Sequence, residues 1–490
     1  MKLASRIRGV VSSLAVLLLT VSTLALVLGV VGYSLSEKEV EKSTSMRIIE
    51  VALVTDAVVV SIFVLCKKNF ITELMDAFIV VSVFWIVAPL FSAILYSRTT
   101  EMDFIDALFE SVSGFSGTGL SVIDKPETLP RVVLAWRALT QWVGELGIVV
   151  ISGVLLPFLH RSIRSVYVVE RGAKLAPTVI STARRLFTIY IVYTLIGAAL
   201  FLISGMDLFD SVSHSMTAIA TGGMSTNSQN LGYWFKAGNR FIAISAAVVM
   251  TLGALNFMDL YNLTLGRLRE FTESVEVRGF VIILFIFLAS LGVVGMATNS
   301  IESFWVWSFH VLSGFTTTGF SLTPISEHPD VVKAIITLSM VIGGATFSTA
   351  GGMKIKRVVV AVKSVLWETG KTFVPKSVVL VRRVGSEVVR DEEIASIHSY
   401  IALYGLTLIV TSIALHISLL SSGITSYSYM DSLLEVSSAL SCVGLSSGIT
   451  SSSAPILAKA ILMVTMYLGR IEFLPLYTLI GIYYINKITL

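Results

Sequence analysis

Charge is scarce in this sequence: only 14% of its 490 residues are Asp, Glu, Lys or Arg. A water-soluble chain carries about 25%, and one of this length would have to divide into several domains and cover each with polar surface. The chain lacks the residues for that. Cysteine is scarcer still. Cys66 and Cys442 lie far apart and in no metal or redox spacing, so they read as free thiols, a single bridge being the alternative. There is no CxxC pair, no HExxH and no Walker loop. Soluble-enzyme chemistry therefore has no support in the sequence.

What is abundant is apolar sequence, 54% of the chain, gathered in long runs. Runs near 10–32, 47–66, 72–97, 130–158, 182–204, 239–265, 278–298, 331–353, 394–420 and 455–485 read as membrane helices. Each has about 20 residues or more, enough for roughly 30 Å of hydrocarbon at 1.5 Å per residue. Lys2, Arg6 and Arg8 precede the first run as in a signal peptide. That run is too long for a signal core and no cleavage site follows it, so it reads as a retained helix. Four shorter segments, near 104–118, 207–222, 303–318 and 430–443, cannot span. They can enter a membrane and return if protein or water covers the returning backbone.

Basic residues cluster in alternate connections: Lys67 and Lys68; Arg161 to Arg185; Arg267 to Arg278; and Lys354 to Arg390. The positive-inside rule puts these, and the N-terminus, on the cytoplasmic side. The four short segments then enter from outside.

Those segments repeat one another. Aligned on Gly119, Gly223, Gly319 and Gly444, they read SGFSGTGLS, TAIATGGMS, SGFTTTGFS and SALSCVGLS. Asp106, Asp210, Val306 and Asp431 stand thirteen positions before the glycine, where a helix would start. An aspartate there caps free N–H groups and complements the positive helix end. The opposite end is negative, and four such ends converging in a membrane favour a cation. Small residues just beyond let backbone carbonyls replace the water shell of an alkali ion, and the glycine permits the dihedrals this needs. The positions expected to line the path are Gly117, Thr118, Gly119, Thr221, Gly222, Gly223, Thr317, Thr318, Gly319, Cys442, Val443 and Gly444. Helix packing through small residues is the plainer alternative, but it does not explain half-length helices in fourfold register. Glu110, His214, His310 and Glu435, nine before each glycine, read as buried support behind the filter.

The chain resembles the Trk/Ktr/HKT superfamily of potassium transporters. The likeness rests on the four filter strings, on WRALTQWVGELGIVV, on GGATFSTAGGMK and on YLGRIE, and it covers nearly the whole chain. It implies an all-α integral-membrane fold of four helix–pore loop–helix repeats with pseudo-fourfold symmetry, usually paired as a homodimer. Two extra N-terminal transmembrane helices resemble the Trk branch. The units would be 1–70 (extension), 71–160, 161–266, 267–392 and 393–490 (repeats). Glycine at all four filter positions goes with K+ in that superfamily, so Gly119 points to K+ as the transported ion. No organic cofactor is expected on this chain, and no nucleic acid.

Two bases fall deep within apolar spans, Arg137 and Arg470. Each costs about 2.5–3.5 kcal/mol at mid-bilayer on insertion scales and should face protein. Arg137 reads as an anchor for the first filter. By resemblance Arg470 lines the inner pore and meets the loop of the third repeat; pairing with Glu472 or a carbonyl is the alternative. That loop, Gly343–Gly352, holds four glycines, which break a helix at membrane depth. It reads as a gate, built from Gly343, Gly344, Phe347, Gly351, Gly352 and Arg470, with close helix packing as the alternative. Ala345, Thr346 and Phe347 depart from the superfamily's usual serine-proline-glycine. Glu145, where the superfamily commonly has glycine, could pair with Arg137 or Arg470 or bind a cation.

The expected activity is K+ uptake across the cytoplasmic membrane. The alternative is K+ transport coupled to H+ or Na+, for which Glu145 is the supporting feature. A membrane enzyme or scaffold would need a nucleophile or metal cluster, and none is visible. The basic stretches 354–393 and 160–180 offer a docking face, and the resemblance implies a nucleotide-binding regulatory subunit there.

Overall fold

The computed structural model describes residues 2–66, 74–147, 179–373, 381–385 and 387–473. Two long apolar helices open the chain, α1 (Lys2–Leu35) and α2 (Glu39–Leu65), packed as a hairpin. The hairpin is pinned at both ends to the unit after it. Arg6 pairs with the buried Asp76 at 2.8 Å, and the Glu41 carboxylate accepts the backbone N–H of Arg131 at 2.8 Å.

Four units of one pattern make up the rest of the described residues. The first is α3 (Leu74–Thr99), α4 (Phe104–Ser116) and α5 (Arg131–Leu146). The second is α6 (Val179–Ile203), α7 (Leu208–Ile219), α8 (Phe241–Ala254) and its continuation α9 (Phe257–Thr264). The third is α10 (Val275–Ala297), α11 (Phe304–Phe315), α12 (Asp330–Ile342) and, beyond the glycine loop, α13 (Ile355–Lys371). The fourth is α14 (Asp391–Ser421), α15 (Tyr429–Leu440) and α16 (Ile456–Arg470). A two-stranded pairing of Arg383–Val384 with Glu387–Val388 joins the last two units. Among the described residues, six helices are long and apolar enough to cross a membrane, plus the bent pair α8–α9.

The short middle helices α4, α7, α11 and α15 have 12 or 13 residues. That is roughly 18–20 Å, well short of a bilayer core. Each is packed against the second helix of the preceding unit: α7 on α5, α11 on α8, α15 on α12, and α4 on α16. The last contact closes the circle, which is the pseudo-fourfold arrangement expected.

Two expectations are corrected. The run 239–265 is not one straight span: α8 and α9 diverge by 109°. Asn256 is extended and its side chain caps α9 by accepting the Met258 N–H at 2.9 Å, while the Phe257 N–H goes to the carbonyl of Phe347 at 3.2 Å. These bonds replace the ones a continuous helix would make. Asp106, Asp210 and Asp431 are not the N-caps. They sit three residues further in, behind Asp103, Asp207 and Ser428. Asp431 completes a capping box with Ser428, whereas Asp106 binds Lys459 at 2.5 Å and Asp210 accepts from Thr226 at 2.7 Å. Within the run 331–353 the helix stops at Ile342, where the glycines begin, which is the break expected of Gly343–Gly352. The distal parts of 130–158 and 455–485, and the stretch 160–178, lie outside the described residues.

Glycines set how closely the units pack. Gly144 of α5 lies against the Phe115 carbonyl, Gly253 of α8 against Ile219, and Gly469 of α16 against Leu440. Each thus meets the last turn of its own unit's short helix. A Cβ on Gly253 would stand 2.7 Å from the Ile219 oxygen and 2.9 Å from Thr221 Cγ2. Helix propensity favours Gly→Ala by about 1 kcal/mol, but overpacking costs about 1–3 kcal/mol, so sterics win here. We expect G253A to lower the melting temperature in detergent. G405A, where nothing lies within 4 Å of the new methyl, should leave it equal or higher. The reverse order would refute the packing argument.

Candidate functional site

The short helices all end the same way. The N–H two positions before the aligned glycine (Gly117, Thr221, Thr317, Cys442) bonds the carbonyl three residues back. The next N–H (Thr118, Gly222, Thr318, Val443) bonds the carbonyl five residues back, at 2.8–3.0 Å. This is the Schellman pattern, which requires a left-handed residue just past the helix. The φ values there are +71°, +49°, +53° and +54°. For the β-branched Thr221 and Thr317 such a φ is strained, by about 1–3 kcal/mol, and the paired turn bonds hold it. The aligned glycines are left-handed again, at +83°, +69°, +84° and +99°.

Consequently the four strands meet. The α-carbon of Gly119 faces the Gly222 carbonyl, Gly223 faces that of Thr318, Gly319 that of Val443, and Gly444 that of Thr118, each too closely for a Cβ. One ring of backbone carbonyls and glycines is thereby closed through all four units. Eight of the twelve residues expected to line the path form this ring, and Gly117, Thr221, Thr317 and Cys442 are the left-handed turns just before it.

Behind the ring the four side chains nine positions before the aligned glycines are hydrogen-bonded. Glu110 accepts from Ser121 and the Val122 N–H, and Glu435 from Ser446, Ser447 and Thr450. His214 meets Ser225 at 2.8 Å, and His310 accepts the Leu322 N–H at 2.9 Å. Arg137 does more than anchor one strand. It pairs with Glu110 at 2.8 Å and donates to the Ser225 carbonyl at 2.9 Å, tying the first strand to the second. Gln141 was not singled out by sequence. Its amide donates to the Gly222 carbonyl at 2.6 Å and accepts the Met224 N–H at 3.1 Å. Lys333 and Lys459 were also missed. Both are buried, and they pair with Asp431 at 2.7 Å and Asp106 at 2.5 Å on the next unit's short helix. A readable signal existed for these two: each stands four residues after a proline that opens its helix, Pro329 and Pro455.

The glycine loop lies at the C-terminal ends of the short helices. Thr349 donates to the Ile219 and Gly253 carbonyls at 2.8 and 2.9 Å. The Gly351 N–H reaches Thr317 Oγ1 at 2.7 Å, and the Gly351 α-carbon abuts the Ser441 carbonyl. The loop therefore touches the second, third and fourth strands' roots. Gly343 has φ 70° and ψ −168°, a region essentially reserved for glycine, and Gly352 folds back on it with 2.7 Å between a would-be Cβ and the Gly343 α-carbon. Gly344 packs on Ala254. Phe347 is left-handed and half-buried, its carbonyl holding the α8–α9 bend.

Arg470 takes its partners from the first unit. It pairs with Glu145 at 2.8 Å, donates to the Gly144 carbonyl at 2.5 Å, and lies 4.5 Å over the Trp85 ring. Glu472 instead pairs with Arg357 at 2.6 Å, so the alternative pairing of Arg470 with Glu472 is not what forms. Of the choices open for Glu145, pairing with Arg470 is the one observed. The two residues occupy equivalent positions, each following the packing glycine in VGEL and LGRI, with Ala254 and Gly344 in the other two units.

Residues 44–484 match the model of the TrkH family, described as cation transport protein. The chain belongs to that family. TrkG, a Trk system potassium uptake protein of Escherichia coli, is 30% identical over 418 residues, covering 82% of this chain and 83% of that protein. An uncharacterized cation transporter of Methanocaldococcus jannaschii is 28% identical over 409 residues, 83% of this chain and 82% of its own. The crystal structure of the potassium transporter TrkH from Vibrio parahaemolyticus superposes with a TM-score of 0.82 at 23% identity, covering 96% of this chain and 98% of that one. The fold is therefore that of TrkH. As a TrkH-family member the chain is a multi-pass membrane transporter, not an enzyme.

Breaking a buried pair by removing one partner costs about 3–5 kcal/mol. R137Q should therefore destabilise the protein by that order, since Glu110 is left buried and charged. R137Q combined with E110Q should recover most of the loss in thermal unfolding. A double variant no better than R137Q would refute the pairing.

Proposed function

We propose that this chain mediates K+ uptake across the cytoplasmic membrane through the ring around Gly119, Gly223, Gly319 and Gly444. The closed carbonyl ring is the observation that carries the reading. Carbonyl oxygens are hard, uncharged ligands suited to a dehydrated alkali ion, and the negative ends of four short helices point toward it. Relatives named as potassium uptake proteins support K+ as the cargo. The basic connections support an N-terminus inside, and one charge gains about 2.3 kcal/mol per 100 mV on moving inward. The functional units follow the boundaries 1–70, 71–160, 161–266, 267–392 and 393–490.

Beneath the ring, the loop Gly343–Gly352 serves as the gate, with Arg470 as its charged neighbour. Glu145 holds that guanidinium against the first unit. Because Glu145 is engaged with a fixed cation, it is poorly placed to carry a proton, which favours simple K+ passage over coupling to H+ or Na+. The basic face around α13 (Lys356, Lys363, Lys371) is the docking surface for a cytoplasmic nucleotide-binding regulatory subunit, and the working unit is a homodimer.

Purified protein in liposomes should pass K+ and Rb+ well ahead of Na+. G119S should reduce that preference, because its side chain meets the Gly222 carbonyl; undiminished selectivity would sink the filter assignment. Deleting part of 345–351 should raise K+ flux, and lower flux from a folded variant would count against a gate. E145Q leaves Arg470 uncompensated. At a separation of roughly 10 Å and an effective dielectric constant of about 20, a unit charge costs about 1.7 kcal/mol, so K+ flux should fall by about fifteen- to twentyfold and recover in E145Q/R470Q.

A further inference from the structure

Nine positions before each aligned glycine, the four units offer the same thing by different chemistry: a hydrogen-bond acceptor aimed at the backbone or hydroxyl just past the ring. Glu110 and Glu435 accept as carboxylates, with no tautomer to choose. A neutral imidazole accepts at one nitrogen only, and only while the other carries the proton. In the second unit the His214 Nδ1–H donates to the backbone carbonyl of Asp210 at 2.8 Å, leaving Nε2 to accept from Ser225. A carbonyl cannot donate, so that tautomer is locked.

The third unit is built otherwise. The Leu322 N–H can only donate, so His310 Nε2 is the acceptor and Nδ1 carries the hydrogen. Nδ1–H then donates to His328 Nε2 at 2.8 Å. His328 stands at the end of the short turn Ile325–Glu327, half-buried, with its ring 4.9 Å from that of His310. We infer that His328 is a positioning residue for the third filter strand: its Nε2 lone pair fixes the His310 tautomer that holds Leu322, making this strand the one whose supporting acceptor depends in turn on a second titratable side chain. A proton on His328 Nε2 would face the Nδ1–H of His310 donor to donor. His310 would then have to shift its hydrogen to Nε2, and the Leu322 N–H would lose its acceptor.

The surroundings oppose that proton. From α12 the ammonium of Lys333 faces His328; it is itself held by Asp431 of α15 at 2.7 Å and lies 3.8 Å from Asp330. From α11 comes the neutral His310, and Glu327 precedes it on its own turn. Burial first, then the Lys333 charge, hold His328 down from 6.5 to about 4. Linkage sets the sign: the neutral arrangement contributes fully above 6.5 and is lost as pH falls toward about 4.

This inference rests on the filter reading above, and the test separates the two. K+ and Na+ influx would be measured in liposomes buffered equally on both sides, from pH 7.5 down to about 3.5, below the folded-state His328 value. In the unmodified protein the K+/Na+ ratio should stay constant down to about pH 5 and fall as the pH approaches the folded-state His328 value of about 4. H328Q keeps an acceptor that does not titrate, so it should retain the neutral-pH ratio and lose the acid dependence. H328L removes the acceptor and should lower the ratio at pH 7.5 by about tenfold, the size of one buried hydrogen bond. An unmodified protein without K+ preference at any pH would overturn the filter reading itself. A selective protein whose H328Q variant shows the same acid loss, or whose folded H328L variant keeps the full ratio, would overturn only the role of His328.

Discussion

The structure turns on one constraint: a polypeptide that enters a membrane and stops halfway must satisfy its own backbone. Each short helix meets it with the same two turn bonds, closing the helix on carbonyls five and six positions before the aligned glycine. Those bonds demand a left-handed residue. The left-handed turn in turn throws the next carbonyl sideways, toward the neighbouring unit. Four such turns placed around one axis make the ring. The glycine that comes next is needed because the neighbour's carbonyl occupies the space a side chain would take.

Everything behind the ring serves to keep those strands from relaxing. Acceptors at Glu110, His214, His310 and Glu435 hold the segments beyond it. Lys333 and Lys459 fasten the starts of the neighbouring short helices through Asp431 and Asp106. Buried pairs of this kind contribute little net stability against apolar packing, but losing one partner leaves an uncompensated buried charge. Arg137 and Arg470 obey the same logic at two depths. Arg137 joins the first two strands near their mouths. Arg470 and Glu145 join the fourth unit to the first below the ring.

Much of this was legible in the sequence. The alternation of long apolar runs with half-length segments, and the register of SGFSGTGLS with SGFTTTGFS, were enough to place the short helices and the four aligned glycines. Glycine runs announced the loop at Gly343–Gly352 because glycine terminates helices wherever they lie. The break at Leu255–Asn256 was not legible, since its cause is a carbonyl from Phe347, far along the chain. Nor was the choice of Glu145 as partner of Arg470, which lies 325 residues away in sequence. His328 carries no motif at all; only its nearness to His310 gives it meaning.

By itself, then, the sequence determined that the chain is membrane-embedded, fourfold in its internal pattern, and equipped with four glycine-bearing re-entrant strands. Apolar length, repetition and glycine are local properties, and local properties survive without a partner. Tertiary structure alone decided which carbonyl faces which glycine, which carboxylate neutralises which base, and which histidine nitrogen is left to accept. Those are distances of about 3 Å between segments remote in sequence, and hydrogen bonding at that range exists only once the units have closed on one another.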